Sequence, residues 1–279
     1  MSEAGTQIHP TALVEPGAQL GEGVRVGPFC QVGPDVVLGD RCELVGHVSL
    51  LGATSLGSDC IVYPQAVLGA PPQNRAHKGG RTTLTIGANC TIREGVTMHR
   101  GTDTSRGKTT VGNNGNFLAY CHIGHDCDVG NNVTFANQVA LGGHVEVGDF
   151  VTIGGLSAVH QFSRIGHHAF VAGMTGVTGD IIPFAMASGS RSRLYGFNII
   201  GMKRSGMSRA DIHAARRAYR ELFEADTPLR ENVERLAAEG GHTELVADIL
   251  AFLQHRGKRH YVAAAKRGQN GDGDDHDGE

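Results

Sequence analysis

One apolar residue in every six runs along most of this chain. Ile8, Val14, Leu20, Val26, Val32, Leu38, Leu44, Leu50, Leu56, Val62 and Leu68 keep the beat, which returns at Ile86, Ile92 and Met98 and then holds from Val111 through Phe117, Ile123 and Phe135 to Val177. Gly, Asn or Asp commonly follows within two residues, as in Gly39-Asp40 and Gly130-Asn131-Asn132, and these residues tolerate positive φ and tight turns. A short strand and a turn every six residues predicts a hexapeptide parallel β-helix over about residues 7–190. Three units close one triangular coil, so residues 18 apart stack at a strand spacing of about 4.8 Å.

The beat fails twice. Between Leu68 and Ile86 its slots hold Asn74 and Gly80, and the stretch from Pro71 to Gly80 reads as a loop. Between Met98 and Val111 seven extra residues must bulge out, within Gly101 to Thr110. Long excursions from a regular scaffold commonly carry function. Past residue 190 the period changes. Ser208 with Asp211 starts a helix to about Ala225 in the manner of a capping box. Thr227 before Pro228 opens a second helix to about Glu239, and Thr243 caps a third through about His255. The expected division is a β-helix over 1–190, a small helical domain over 191–267 and an acidic disordered tail over 268–279.

Composition narrows the compartment and the partners. A net charge of −3 gives no argument for nucleic acid. Met1-Ser2-Glu3-Ala4-Gly5 has no basic stretch leading into an apolar one, so no signal peptide is expected, and no run reaches the ~18 apolar residues of a membrane span. The expected location is cytoplasmic. Cys30, Cys42, Cys60, Cys90, Cys121 and Cys127 each lie four residues after a beat residue, a slot held elsewhere by Val24, Ala66 or Val133. They read as small core residues, not as a disulfide or metal set.

The 18-residue coil also gathers histidines. Asp126 stacks under His144, His125 under Gly143 and then Gln161, and Gly124 under Gly142 and then His160. His99 occupies the same slot as Gly124 one coil earlier, and His122 lies just before this corner. Five imidazoles thus converge on one strip beside both excursions. Zinc held between coils is one reading of such a strip. General-base catalysis is the stronger one: His125 can take a proton from a hydroxyl, with Asp126 or another acceptor fixing its tautomer. Gly143 leaves room for a reacting carbonyl and offers its N–H to an oxyanion. No Ser or Cys nucleophile stands in the strip, which favours direct transfer over a covalent intermediate.

Several segments at matching spacing carry a family resemblance. Ile8-His9-Pro10-Thr11-Ala12, His99-Arg100-Gly101-Thr102, His122-Ile123-Gly124-His125-Asp126-Cys127, Ala158-Val159-His160-Gln161-Phe162 and Asn198-Ile199-Ile200-Gly201-Met202-Lys203-Arg204 resemble the acyl-[acyl-carrier-protein]–UDP-N-acetylglucosamine O-acyltransferases, which begin lipid A synthesis. The resemblance implies a left-handed β-helix, a homotrimer with sites between subunits, and no bound cofactor or metal, the acyl group arriving on the phosphopantetheine of acyl carrier protein. It implies His125 as base for the glucosamine 3-hydroxyl, Asp126 as its orienter and Gly143 as oxyanion donor. Asn74, His99, His122, His144, His160, Gln161, Gly173, Asn198 and Arg204 would bind UDP-N-acetylglucosamine and the acyl-pantetheine, with Gly173 implying a deep pocket for a long 3-hydroxyacyl chain. Arg191, Arg193, Lys203, Arg204, Arg216, Arg217 and Arg220 could attract the acidic carrier. The loop departs from the family's Gln-Asp-x-Lys-Tyr, reading Gln73-Asn74-Arg75-Ala76-His77. That leaves open an N-acyltransferase acting on a 3-amino sugar or a later lipid A intermediate. Outside the class, a zinc hydrolyase and a non-catalytic solenoid are the alternatives.

Overall fold

The computed structural model describes residues 5–223 and 225–265. The expected tail over 268–279 lies outside them. Strands mostly two residues long pair into sheets of 11, 9 and 8 strands, which form the three walls of a coil. Register follows the 18-residue rule, with Ile8 beside Val26, Val14 beside Val32 and Leu20 beside Leu38. The result is a left-handed parallel β-helix. Right-handed crossovers are otherwise the rule because strands twist, and strands of two residues carry too little twist to impose it.

The beat residues point inward and fill the coil. Leu50, Leu68, Met98, Ile123 and Leu141 form one fully buried column, and Phe117 meets Phe135 edge to face at 5.3 Å. The first described coil is the exception, with Ile8 48% exposed and Val14 and Leu20 only partly buried. All six cysteines are buried and free, as expected of core residues. Their thiols meet carbonyls of the next coil, as in Cys42 Sγ to Gly57 O at 3.0 Å, and burial pushes the Cys127 thiol up to about 12.

The corners correct one expectation. Positive φ falls on the third residue after the beat, not on the Gly or Asn one or two positions after it, and that residue is often large: Phe29 (57°), Leu156 (61°), Met174 (58°). A left-handed conformation costs a non-glycine residue about 1–2 kcal/mol. Here each such N–H is paired with the coil below, as in Arg41 N to Glu22 O at 2.8 Å and Phe162 N to Gly143 O at 3.1 Å. The side chains also stack outside, Phe29 on His47 at 4.9 Å. Glycine one past the beat serves close approach instead: a Cβ on Gly39 would sit 2.6 Å from Ser58 N of the next coil.

Both excursions leave from the same wall, after Leu68 and after Met98. The second ends sooner than expected, because Lys108–Val111 is a strand whose Lys108 pairs with Thr83. The boundary expected at 190 falls in a hairpin between strands Ala185–Ser188 and Arg193–Phe197, which carries the sheet past the coil. Four helices follow: α1 (Ile199–Arg204), α2 (Arg209–Phe223), α3 (Leu229–Glu239) and α4 (Glu244–Gln254). The short α1 was not expected. Ser208 makes half of the anticipated capping box, its Oγ accepting from Asp211 N while its hydroxyl donates to Asp211 Oδ2, and Thr243 caps α4. Pro228, not Thr227, is the N-cap of α3, since the Thr227 hydroxyl turns to the buried Asn232 side chain. Leu222, Val233, Leu236, Leu245 and Ile249 are buried between the helices.

Candidate active site

Register brings the predicted strip together. His122 pairs with Ala140 and Ala140 with Ala158, while Met98 pairs with Ile123, which sets His99 beside Gly124. A cavity of about 480 Å³ is lined by Gln73, His99, His122, His125, Gly142, Gly143, His160 and Gln161. His144 stands behind it, edge-on to His125 at 5.1 Å and stacked on Phe162 at 4.4 Å.

His125 is oriented from two sides. Its Nδ1 lies 2.8 Å from Asp126 Oδ2. A carboxylate only accepts, so Nδ1 carries the proton and Nε2 keeps its lone pair. Nε2 faces the Asn74 amide nitrogen at 3.4 Å, across the mouth of the cavity. Asp126 is fully buried and held in turn by Thr102, whose N–H reaches both carboxylate oxygens at 3.1 Å and whose hydroxyl reaches Oδ2 at 2.7 Å. Burial alone would push the Asp126 carboxyl up, but the bonds from His125 and Thr102 outweigh it and hold the carboxyl below its usual range.

Thr102 was missed as a site residue, although it stands in a quoted segment at the start of the second excursion. Asp103 was missed too. Its carboxylate accepts from Gly80 N (2.8 Å) and Lys78 N (3.0 Å) and bonds His77 Nδ1 (3.1 Å), which clips the two excursions together and seats Asn74 opposite His125. No sequence signal marks Asp103, because two of its partners are backbone amides, which every residue but proline carries.

Burial disfavours the charged form of three neighbouring imidazoles. Burial, then the neighbouring rings of His122 and His125, lowers His99 to about 4. Burial likewise lowers His122 and His144. Thr97 Oγ1 bonds His122 Nδ1 at 2.8 Å, fixing that ring as well.

Gly143 plays a different steric part from the one expected. A Cβ there would lie 2.5 Å from His125 Cε1 and 2.7 Å from Nε2, so the room it leaves is filled by the imidazole itself. Its N–H donates to no other group among the described residues and remains available. Gly173, Asn198 and Arg204 are not brought to the strip within one chain. Gly173 lies at another corner, facing Gly155; Asn198 caps α1 and donates to His168 O at 3.1 Å; Arg204 is exposed in the last turn of α1.

The carboxylate and rings also form the one triad among the described residues with metal-binding spacing, His125, Asp126 and His144 having ligand atoms within 4.8 Å of one another. The Asp126 oxygens are already committed to His125 Nδ1 and Thr102, so a cation would have to displace the bonds that orient the base.

The chain matches family models described as UDP N-acetylglucosamine O-acyltransferase, domain 2, over residues 180–262, and bacterial transferase hexapeptide over residues 17–52. An acyl-[acyl-carrier-protein]–UDP-N-acetylglucosamine O-acyltransferase of Mesorhizobium japonicum is 60% identical over 274 residues, covering 98% of each chain. One from Bartonella henselae is 56% identical over 92% of this chain and 94% of its own. Among solved structures, the UDP-N-acetylglucosamine acyltransferase of Francisella novicida superposes with a TM-score of 0.89 at 31% identity, over 92% of this chain and 94% of its own. That of Campylobacter jejuni superposes with 0.87 at 34% identity, over 93% and 100%. Identity of this extent, joined to the same coil, leaves one conclusion: the chain belongs to the acyl-[acyl-carrier-protein]–UDP-N-acetylglucosamine O-acyltransferases.

Proposed function

We propose that the protein transfers a 3-hydroxyacyl group from acyl carrier protein to the 3-hydroxyl of UDP-N-acetylglucosamine, the opening step of lipid A synthesis. The observation that carries the chemistry is His125, with Nδ1–H held by Asp126 and a bare Nε2 turned into the cavity. Nε2 takes the hydroxyl proton as the sugar oxygen attacks the thioester carbonyl. The oxyanion accepts from the Gly143 N–H. Collapse breaks the carbon–sulfur bond, and the imidazolium returns its proton to the departing pantetheine thiolate. Approach of the sugar displaces the Asn74 amide from Nε2. No metal takes part in these steps.

Asn198 and Arg204 would serve the pocket of a neighbouring copy in a homotrimer, which accounts for their distance from this chain's own strip. Exposed Tyr120, Leu156 and Met174 give the coil apolar surface to bury in such an assembly. Gly173 stands on the same corner with only Gly155 backbone near its Cβ position, which suits a long acyl chain. No helix among the described residues is long and apolar enough to cross a membrane.

The assay is transfer from a panel of 3-hydroxyacyl carrier proteins to UDP-N-acetylglucosamine and its 3-amino analogue, with products located by mass spectrometry and NMR. The expected product is a 3-O-acyl ester, formed at an unchanged rate after exhaustive chelation. Turnover of the amino sugar alone, or loss of rate with the metal removed, would defeat the reading.

A further inference from the structure

Beyond α4 the chain returns to the solenoid and crosses the wall of the site. Gly257 passes so close to the buried Arg164–Asp180 ion pair that a Cβ would lie 2.6 Å from Arg164 Nε. Lys258 Nζ sits 4.4 Å over the Phe162 ring, and His260 O accepts from Asp180 N at 2.8 Å. Between these two anchored residues, Arg259 places Nη2 2.6 Å from His160 Nδ1 and Nε 2.9 Å from Gln161 O.

This contact decides a proton. His160 Nδ1 also lies 3.2 Å from Gln161 O, to which an Nδ1–H would donate if nothing else were present. A guanidinium has donors only and does not lose its charge, so a ring nitrogen facing it must be the acceptor. Arg259 also takes the Gln161 carbonyl for itself. With Nδ1 bare, the ring proton stays on Nε2, the nitrogen left for the cavity that His160 lines. His125 and His160 then hold opposite tautomers: one presents a lone pair, the other an N–H.

We propose that Arg259 is a positioning residue which fixes His160 as the Nε2–H tautomer, so that His160 gives the transfer site a hydrogen-bond donor for an acceptor oxygen of the bound substrates. The consequence for turnover rests on the transfer reading above; the tautomer does not. ¹⁵N NMR of histidine-labelled full-length protein, with the His160 signals found by difference against His160→Gln, reads the tautomer directly. The wild type is expected to carry the proton on Nε2, Arg259→Ala to move it to Nδ1, and Arg259→Lys, still a pure donor, to keep it on Nε2. In the transfer assay Arg259→Ala should lower kcat/KM about tenfold, the upper end of the net worth of one hydrogen bond. In the His160→Gln background, where the amide supplies a donor near the Nε2 position whatever Arg259 does, the same change should cost less than about twofold. A proton on Nδ1 in the wild type, an unmoved proton in Arg259→Ala, or equal losses in both backgrounds would overturn the assignment. If the wild type transfers no acyl group, the function fails and the NMR comparison still decides the tautomer.

Discussion

Alanine at position 125 is expected to lower kcat by about 10²–10⁴-fold, the usual worth of general acid–base catalysis, with KM for either substrate changed little. The split follows from the geometry. In the proposed reaction His125 would contact the sugar through one nitrogen, whereas Gln73, His99, His122, His160 and Gln161, which also line the cavity, are left in place by the substitution. Asp126 keeps its three bonds to Thr102, so the corner should stay folded. Steady-state kinetics with both substrates varied, alongside thermal midpoints, would check it. A variant with an unchanged kcat would remove His125 as the base.

The second large effect is expected from Gly143→Ala. One methyl at this position cannot coexist with the present imidazole, whose atoms would lie 2.5–3.0 Å from it. The ring must rotate away from Asp126 or push toward Asn74. Displacement of a catalytic group by about 1 Å costs on the order of 10²-fold in rate. The fold should tolerate the change, since Gly143 is not at positive φ and its carbonyl bond to Phe162 N does not depend on a side chain. A Gly143→Ala enzyme with near-normal kcat would mean that the ring seen against Gly143 is not the reacting one.

Most of the scaffold was legible because its period is short and rigid. An apolar residue every six positions fixes which side chains enter the coil, and stacking at 18 then places His125, Gly143 and Gln161 in one column with no further information. The small slot four past the beat likewise identified the cysteines as filler. What the pattern could not reveal lay in contacts that obey no period. Thr102, Asp103 and Arg259 act through backbone amides, a carboxylate clip and a returning strap, each joining segments whose separation depends on loop length and not on the beat. The corners misled for a related reason. Propensity points to Gly and Asn for positive φ, whereas the coil below satisfies the backbone so well that Phe, Leu and Met take that conformation. Asn198 and Arg204 could be named only by resemblance, because their place in the chain is away from the strip they would serve.

Everything proposed for this site depends on an imidazole of one turn meeting the sugar hydroxyl above the bare backbone of the next. A crystal structure with UDP-N-acetylglucosamine bound would test that encounter without inference from rates. The account predicts the 3-hydroxyl about 2.6–3.2 Å from His125 Nε2, with Asn74 moved aside and Gly143 N–H facing open space for the acyl carbonyl. A sugar whose 3-hydroxyl points away from that nitrogen, or a cation coordinated by His125 and His144, would contradict it.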